Sequence, residues 1–467
     1  MSFDQIAALA VLVAVVAALI HGKLRADVVA LTGAAVLLML GVVRPVEVQG
    51  AFASPAVIAL AGLFVIAYAI ELSGLLAFLI RQATRLTHRL GALGIWLVIG
   101  LCGSVGGFLN NTPVVVLAAP VVRDMALSLN QSPKRYLMPL SYIVVMGGLL
   151  TLIGTSTNLL VNDMARNAGQ PVFGLFDITG VGIIIALTGA AYLYLVGARQ
   201  LDGVANADEA DMARAKAEQA RRSAPAAAPA RRRRWFGLPM LGEARNQPDG
   251  SGDAVLGDVD LYDKAKERPL DRRRAFASIG VFAAVIFVAA TGLAPIAASA
   301  FAGAVVLILL KVISADEAYA GLRPEILLLI AGMVVVGTAI EVTGLAETGA
   351  ASLIGVIEPL GPMGALIIFY GVTLFATELL SNATVAVLIT PIAVALADAL
   401  GVDARPFLVA VMMAASAAFA TPFGYQTNVL VFQMGGYSYM DFVRIGVPLN
   451  LITWAAAMVA IPIFFPF

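Results

Sequence analysis

Reactive chemistry is nearly absent from this chain. Its 467 residues include one cysteine, Cys102, and two histidines, His21 and His88. A lone cysteine excludes an internal disulfide, and the few thiol and imidazole groups form no metal-ligand spacing. No nucleophile–base pair and no phosphate-cradling loop occurs, so the chain is not expected to be an enzyme, an ATPase included. Charge is scarce: Asp, Glu, Lys and Arg make up 13% of the residues and the formal net charge is zero, which gives no basis for a nucleic-acid partner. The short alternating segments of a transmembrane β-barrel are missing too. The start, Met-Ser-Phe-Asp, lacks the basic region and cleavage site of a signal peptide, so the first apolar stretch is read as a retained span.

What fills the chain is apolar surface. Hydrophobic residues make up 60%, mean hydropathy is +0.91 and there are 44 glycines. Apolar runs of about 17 to 25 residues suit helices across a hydrocarbon core of roughly 30 Å, and glycine lets such helices approach closely. The expected fold is an all-α polytopic membrane protein with about ten transmembrane helices plus two re-entrant helical hairpins.

The chain reads as two copies of one pattern. Spans at about 4–20, 26–43 and 56–73 lead into an arm carrying Arg81, Arg85 and Arg89. An interrupted pair (91–127), an interrupted segment (138–166) and a span at 175–197 complete the first copy, residues 1–197. Residues 275–467 repeat the order, with an arm to 358, an interrupted pair at 361–400 and an interrupted segment at 407–431. Ala69-Ile70-Glu71 recurs as Ala339-Ile340-Glu341, Asn111 as Asn382, and Thr157-Asn158 as Thr427-Asn428, all offset by 270 or 271. Five crossings per copy is an odd number, so the copies are expected in opposite orientation, as inverted repeats. Basic residues agree: with residues 198–274 cytoplasmic, that face carries Lys23, Arg25, Arg81, Arg85, Arg89, Arg123, Lys134, Arg135, Lys311, Arg323 and Arg444, and the other face only Arg44, Arg166 and Arg405. Both termini are then outside, in the cell's inner or plasma membrane. Residues 198–274, with Arg231 to Arg234 and an Ala-Pro run, read as a disordered cytoplasmic linker.

Four short polar interruptions carry the chemistry. Asn110-Asn111-Thr112-Pro113 and Ser381-Asn382-Ala383-Thr384 break the two pairs, each followed by a proline, Pro120 or Pro391. Gly154-Thr155-Ser156-Thr157-Asn158 and Ala420-Thr421-Pro422-Phe423-Gly424 through Thr427-Asn428 break the two segments. Irregular backbone at membrane depth must line a cavity or be buried in protein, and half-helix ends offer free N–H groups to anions and free carbonyls to cations. The hairpins are expected to enter from opposite faces and meet at one central site. No Lys or Arg lies inside an expected span, so an anion would be held by helix ends and by Asn, Ser and Thr. Glu71 and Glu341 are expected at the membrane edge; Glu378, three residues before Ser381, is a possible proton site. From the residues alone, a proton-coupled carrier, an exporter of another inorganic anion using Glu378, and a channel stay open beside a cation-coupled anion carrier.

At these motifs the sequence resembles the divalent anion:sodium symporter family of the ion-transporter superfamily. Asn110-Asn111-Thr112 and Ser381-Asn382-Ala383 are similar to its two Ser-Asn-Thr hairpin tips, with Asn110 in place of Ser and Ala383 in place of Thr. The resemblance implies a homodimer and elevator-type, sodium-coupled symport of dicarboxylates, tricarboxylates such as citrate, or sulfate, with no cofactor beyond the coupling sodium ions. It implies one sodium site at Asn110 and Asn111 with backbone near Gly106 and Gly154, where Gly106 replaces a frequent Ser. A second would use Thr377, Asn382 and the carbonyl of Ala420. Substrate would contact Asn110, Asn111, Thr112, Ser381, Asn382, Thr421 and Pro422, supported by Thr155, Ser156, Thr157, Asn158, Thr427 and Asn428. The similar branch usually carries regulatory domains between its repeats, for which residues 198–274 are too short.

Overall fold

In the computed structural model, residues 2–21, 23–75, 91–201, 270–346 and 360–467 are described, with a few positions between 77 and 82 and residue 348. The arginine arm and most of the 198–274 linker lie outside the described residues. All regular structure among the described residues is helical, as composition required. Eighteen helices are used below: α1 (Phe3–His21), α2 (Ala26–Met39), α3 (Pro45–Phe52), α4 (Pro55–Leu72), α5 (Ala92–Gly106), α6 (Asn111–Ser128), α7 (Lys134–Gly147), α8 (Ser156–Asn167), α9 (Thr179–Tyr192), α10 (Arg272–Ala290), α11 (Ile296–Leu309), α12 (Ala315–Gly321), α13 (Pro324–Val342), α14 (Gly361–Leu379), α15 (Asn382–Leu400), α16 (Arg405–Ala415), α17 (Gln426–Gly435) and α18 (Tyr439–Phe464).

The second nine follow the first nine in order, and eight of the nine starts are offset by 269 to 271 residues. Local chemistry sets the boundaries. Ser54 caps α4 by accepting the Val57 N–H, with Pro55 in the first turn where its missing donor costs nothing. Ser314 and Ser438 form capping boxes with Glu317 and Asp441 at α12 and α18. Both tips are caps as well: Asn110 accepts from Thr112 N–H at 3.2 Å and Ser381 from Thr384 N–H at 3.3 Å. The same polar residues that interrupt the apolar runs therefore restart the helices.

Among the described residues, seven helical segments are long and apolar enough to cross a membrane, and five more apolar helices are shorter. The spread of helix lengths has a geometric cause. A 14-residue helix such as α2 or α11 rises only about 21 Å, and proline, glycine and polar residues stop several others early. Some ends also shift: α18 starts at Tyr439, taking in Arg444, and α10 starts at Arg272, so Arg272–Arg274 belong to a helix rather than the linker. Arg274 there pairs with Glu317 of α12 at 3.2 Å.

The helices pack as two groups. One holds α1–α4 and α10–α13, where α4 crosses α11 and α13 crosses α2. These crossings are close because glycine removes a side chain at each. A Cβ on Gly62 would lie 2.5 Å from the Ala300 carbonyl carbon, and one on the equivalent Gly332 would lie 2.8 Å from that of Ala30. The other group holds α5–α9 and α14–α18, with hairpins α5–α6 and α14–α15 packed on α7 and α16. All four polar interruptions belong to this second group.

Candidate functional site

The tip between α5 and α6 buries its polar residues without satisfying all of them. Asn111 is 1% exposed; its Nδ2 donates to the Tyr425 hydroxyl at 3.0 Å, while its Oδ1 has no partner. Thr112 donates to Gln426 Oε1 at 3.2 Å. Gly106 lets the backbone pass close to that orphan oxygen: a Cβ there would lie 3.2 Å from Asn111 Oδ1 and only 2.8 Å from the Val144 carbonyl oxygen.

The second tip repeats the frame with different groups. Thr377 stands where Gly106 stands in the first copy, and its hydroxyl lies 2.9 Å from Asn382 Oδ1 and 2.7 Å from the Ala415 carbonyl. Here the amide nitrogen, Asn382 Nδ2, is buried without a partner. Ser381 Oγ lies 2.7 Å from Thr384 Oγ1. One tip thus has an unfilled acceptor and the other an unfilled donor, and each leaves a group that needs company.

The two unwound segments share one device. Asn158 Nδ2 donates to the carbonyls of Gly148 (3.3 Å) and Thr151 (3.1 Å), and Asn428 Nδ2 to those of Ala418 (2.8 Å) and Thr421 (3.3 Å). Each asparagine therefore ties down the loop that precedes its own helix. Asn428 Oδ1 is met by Ser141 at 2.8 Å, whereas Asn158 Oδ1 has no partner. Ser141 also bonds Thr427 at 2.8 Å. Thr155 caps α8 at Thr157, and Gly154 passes so close to Gly148 that a Cβ would lie 2.5 Å from its carbonyl oxygen. Thr151 donates to the Gly107 carbonyl, while its equivalent Thr421 donates to Glu378 Oε2 at 2.9 Å. Glu378 Oε1 accepts from Ala420 N–H at 2.8 Å and from Asn450 Nδ2 at 2.7 Å. The carboxylate thereby joins hairpin, loop and α18.

Two adjoining cavities meet at the first tip. The smaller, about 40 Å³, is lined by Asn110, Gly154, Thr155, Ser156 and Tyr425 together with apolar residues of α4. The larger, about 670 Å³, shares Asn110 and extends past Gln426 to Arg323 and Glu325, with Glu71 also in its wall. Of the residues expected from sequence, this arrangement brings Asn110, Gly154, Thr155 and Ser156 to a cavity, with Asn111 and Thr112 directly behind. Neither cavity is lined by Ser381, Asn382, Thr421 or Pro422; Pro422 is buried and the Thr421 hydroxyl is held by Glu378. Tyr425, Gln426, Ser141 and Asn450 were not singled out from sequence, and Arg323 was read only as a charge on the cytoplasmic face. The first two stand at the repeat equivalents of Thr155 and Ser156, which is the signal that marks them, and Asn450 is a lone amide in an apolar span.

Comparison with known proteins agrees with this architecture. A family model described as "Citrate transporter" matches residues 16–404. The chain belongs to the citrate transporter family. This member of the family is a transporter and not an enzyme. It is similar to an uncharacterized transporter of Synechocystis, at 24% identity over 95% of this chain and 94% of that one; the alignment runs over 578 positions, so that relative has residues this chain lacks. A stretch covering 32% of the chain is 35% identical to 17% of sodium/sulfate cotransporter 1 of Chlamydomonas reinhardtii. Among solved structures, the YdaH transporter of Alcanivorax borkumensis shares the fold, with a TM-score of 0.53 and 12% identity over 89% of this chain and 86% of that one.

Proposed function

We propose that this transporter is a sodium-coupled symporter of a small divalent anion, a di- or tricarboxylate or sulfate. The observation that carries the reading is the opposite need of the two tips. Asn111 Oδ1 is a buried acceptor with nothing to accept, as is Asn158 Oδ1 nearby in the same copy, and Asn382 Nδ2 is a buried donor with nothing to receive its proton. Unfilled oxygens suit a hard cation; an unfilled amide donor suits an anionic oxygen. Asn110 and Asn111 with backbone near Gly106 and Gly154 form the first sodium site, and Thr377, Asn382 and the Ala420 carbonyl form the second. The anion lies between the tips, touching Asn110, Thr112, Ser381 and Asn382. With no basic residue at either tip, bound sodium offsets the charge of the substrate. Similarity to a sodium/sulfate cotransporter supports sodium as the coupling ion.

The two copies sit in the membrane as inverted repeats, in a homodimer with the linker cytoplasmic and both termini outside. The α5–α9/α14–α18 group moves against the other in an elevator-type cycle. A thermal-shift screen of succinate, citrate and sulfate, each with sodium or potassium, tests the reading. One of these anions should raise the melting temperature with sodium and much less with potassium, because ligands that bind the folded state stabilise it by mass action, about 2.7 kcal/mol at 100 times Kd. No shift with any of them would count against it.

Glu378 in this account is an anchor rather than a proton carrier, since three donors already fix its carboxylate. Glu378→Gln keeps an acceptor for Ala420 and Asn450, so sodium-driven uptake should persist within about tenfold of wild type. Loss of uptake together with loss of a pH-gradient response would instead make Glu378 the coupling group.

A further inference from the structure

Among the described residues, the two helix groups make their main contacts on one side. There α13 packs on α15 and α8, and α4 packs on α8. Under the repeat correspondence, the mirror contacts would join α4 to α6 and to α17, and α13 to α17. Among the described residues these pairs do not pack comparably, and the cavity of about 670 Å³ lies in their place, with Ala67 of α4 facing Val429 and Leu430 of α17. It reaches the surface at Pro324 and Glu325, both exposed, at the start of α13.

The closed side is tight. Gly337 of α13 lies against α8 and α15, so a Cβ there would sit 2.4 Å from Met164 Cε and 2.8 Å from Val387 Cγ1. Its repeat equivalent is Ala67, in the wall of the cavity. Beside Met164, Asp163 is 2% exposed. Its carboxylate faces the Ser54 hydroxyl and the Ala56 N–H in geometry too loose for closed hydrogen bonds. Arg166 Nη1 is 3.5 Å away. A negative charge carried by α8 thus rests on the N-terminus of α4, where the helix dipole favours it. The equivalent positions on the open side differ in kind. Gln433, exposed, replaces Asp163, and Arg323 replaces Ser54. Arg323 heads α13 at φ 48°, lines the cavity, and makes no side-chain hydrogen bond or ion pair among the described residues.

We infer that Asp163 is a latch residue that fastens α8 to α4 and holds the transporter open to the face bearing Arg323, and that transport requires its release while α17 closes on the Arg323 end of α13. The inference rests on the alternating-access reading above. A buried carboxylate is tolerated only while compensated, so Asp163 favours this state as long as the α4 terminus is in reach. On the other face the position equivalent to Asp163 is the uncharged Gln433, so α17 carries no carboxylate to hold that closure. Asp163 is a positioning residue: it touches neither tip.

The test uses the full chain in nanodiscs with Cys102→Ser and Val429→Cys, which puts one thiol in the cavity wall, and reads the rate of maleimide labelling. Asp163→Asn should slow labelling about three- to tenfold, the scale of a carboxylate's interaction with a helix terminus. Gly337→Leu, which forces Met164 out of the same interface without touching a charge, should slow it likewise, and serves alone if Asp163→Asn fails to fold. Wild-type labelling rates in the folded variants overturn the latch. If the labelling responds but wild-type proteoliposomes carry no anion under a sodium gradient, the transport reading falls and the latch stands.

Discussion

Replacing Asn111 with alanine is expected to cut sodium-driven anion uptake at least about 100-fold while the protein still folds. The side chain does two things at once. Its Nδ2 ties the first tip to Tyr425 of the second copy at 3.0 Å, and its Oδ1 is the buried acceptor left open beside Gly106 and the Val144 carbonyl. Alanine removes the oxygen offered to the cation and leaves the Tyr425 hydroxyl without that donor. Stabilisation of the purified protein by sodium should vanish in the same variant. Asn382→Ala removes the unfilled donor Nδ2 as well as the Oδ1 beside Thr377, so it should raise the anion concentration for half-maximal uptake as well as the sodium requirement. Equal sodium stabilisation of wild type and Asn111→Ala, measured by thermal shift, would remove Asn111 from the cation site.

The largest loss of stability is expected from Asn158→Leu and Asn428→Leu. Each amide nitrogen holds two carbonyls of an unwound loop, and among the described residues only the Thr151 carbonyl of the four has a second partner, the Gly154 N–H at 3.3 Å. Buried carbonyls left unpaired cost about 1–3 kcal/mol apiece, so before any effect of the larger side chain Asn428→Leu, which strands two, should destabilise by about 2–6 kcal/mol and Asn158→Leu, which strands the Gly148 carbonyl, by about 1–3 kcal/mol. In hydrocarbon or packed protein no water restores them. Asn428→Leu additionally strips Ser141 of one partner. Both variants should show lower melting temperatures and poorer recovery from detergent. A melting temperature within a degree of wild type would mean that the loops are held by something else.

The breaks themselves were legible in the sequence, because each uses residues that an apolar helix interior rarely tolerates together. Asn110-Asn111 and Ser381-Asn382 cap α6 and α15, and Thr155 caps α8. The constant offset also gave the pairing of Asn158 with Asn428 before any contact was known. Contacts between the copies were not legible. Tyr425 opposite Asn111, Gln426 opposite Thr112 and Ser141 against Thr427 depend on how the two copies dock, and no spacing along one chain encodes that. Helix lengths were only partly legible, because α2 and α11 stop at 14 residues where the apolar runs continue into short turns. Glu378 was legible as an unusual carboxylate but not as an anchor, since Asn450 reaches it from 72 residues away.

The most direct test of the central claim is uptake of labelled succinate, citrate and sulfate into proteoliposomes under an inward sodium gradient, compared with potassium in its place. Saturable accumulation of at least one of these anions that depends on the sodium gradient and disappears in Asn111→Ala is the predicted result. Accumulation equal in sodium and potassium, or flux that does not saturate with substrate, would contradict it.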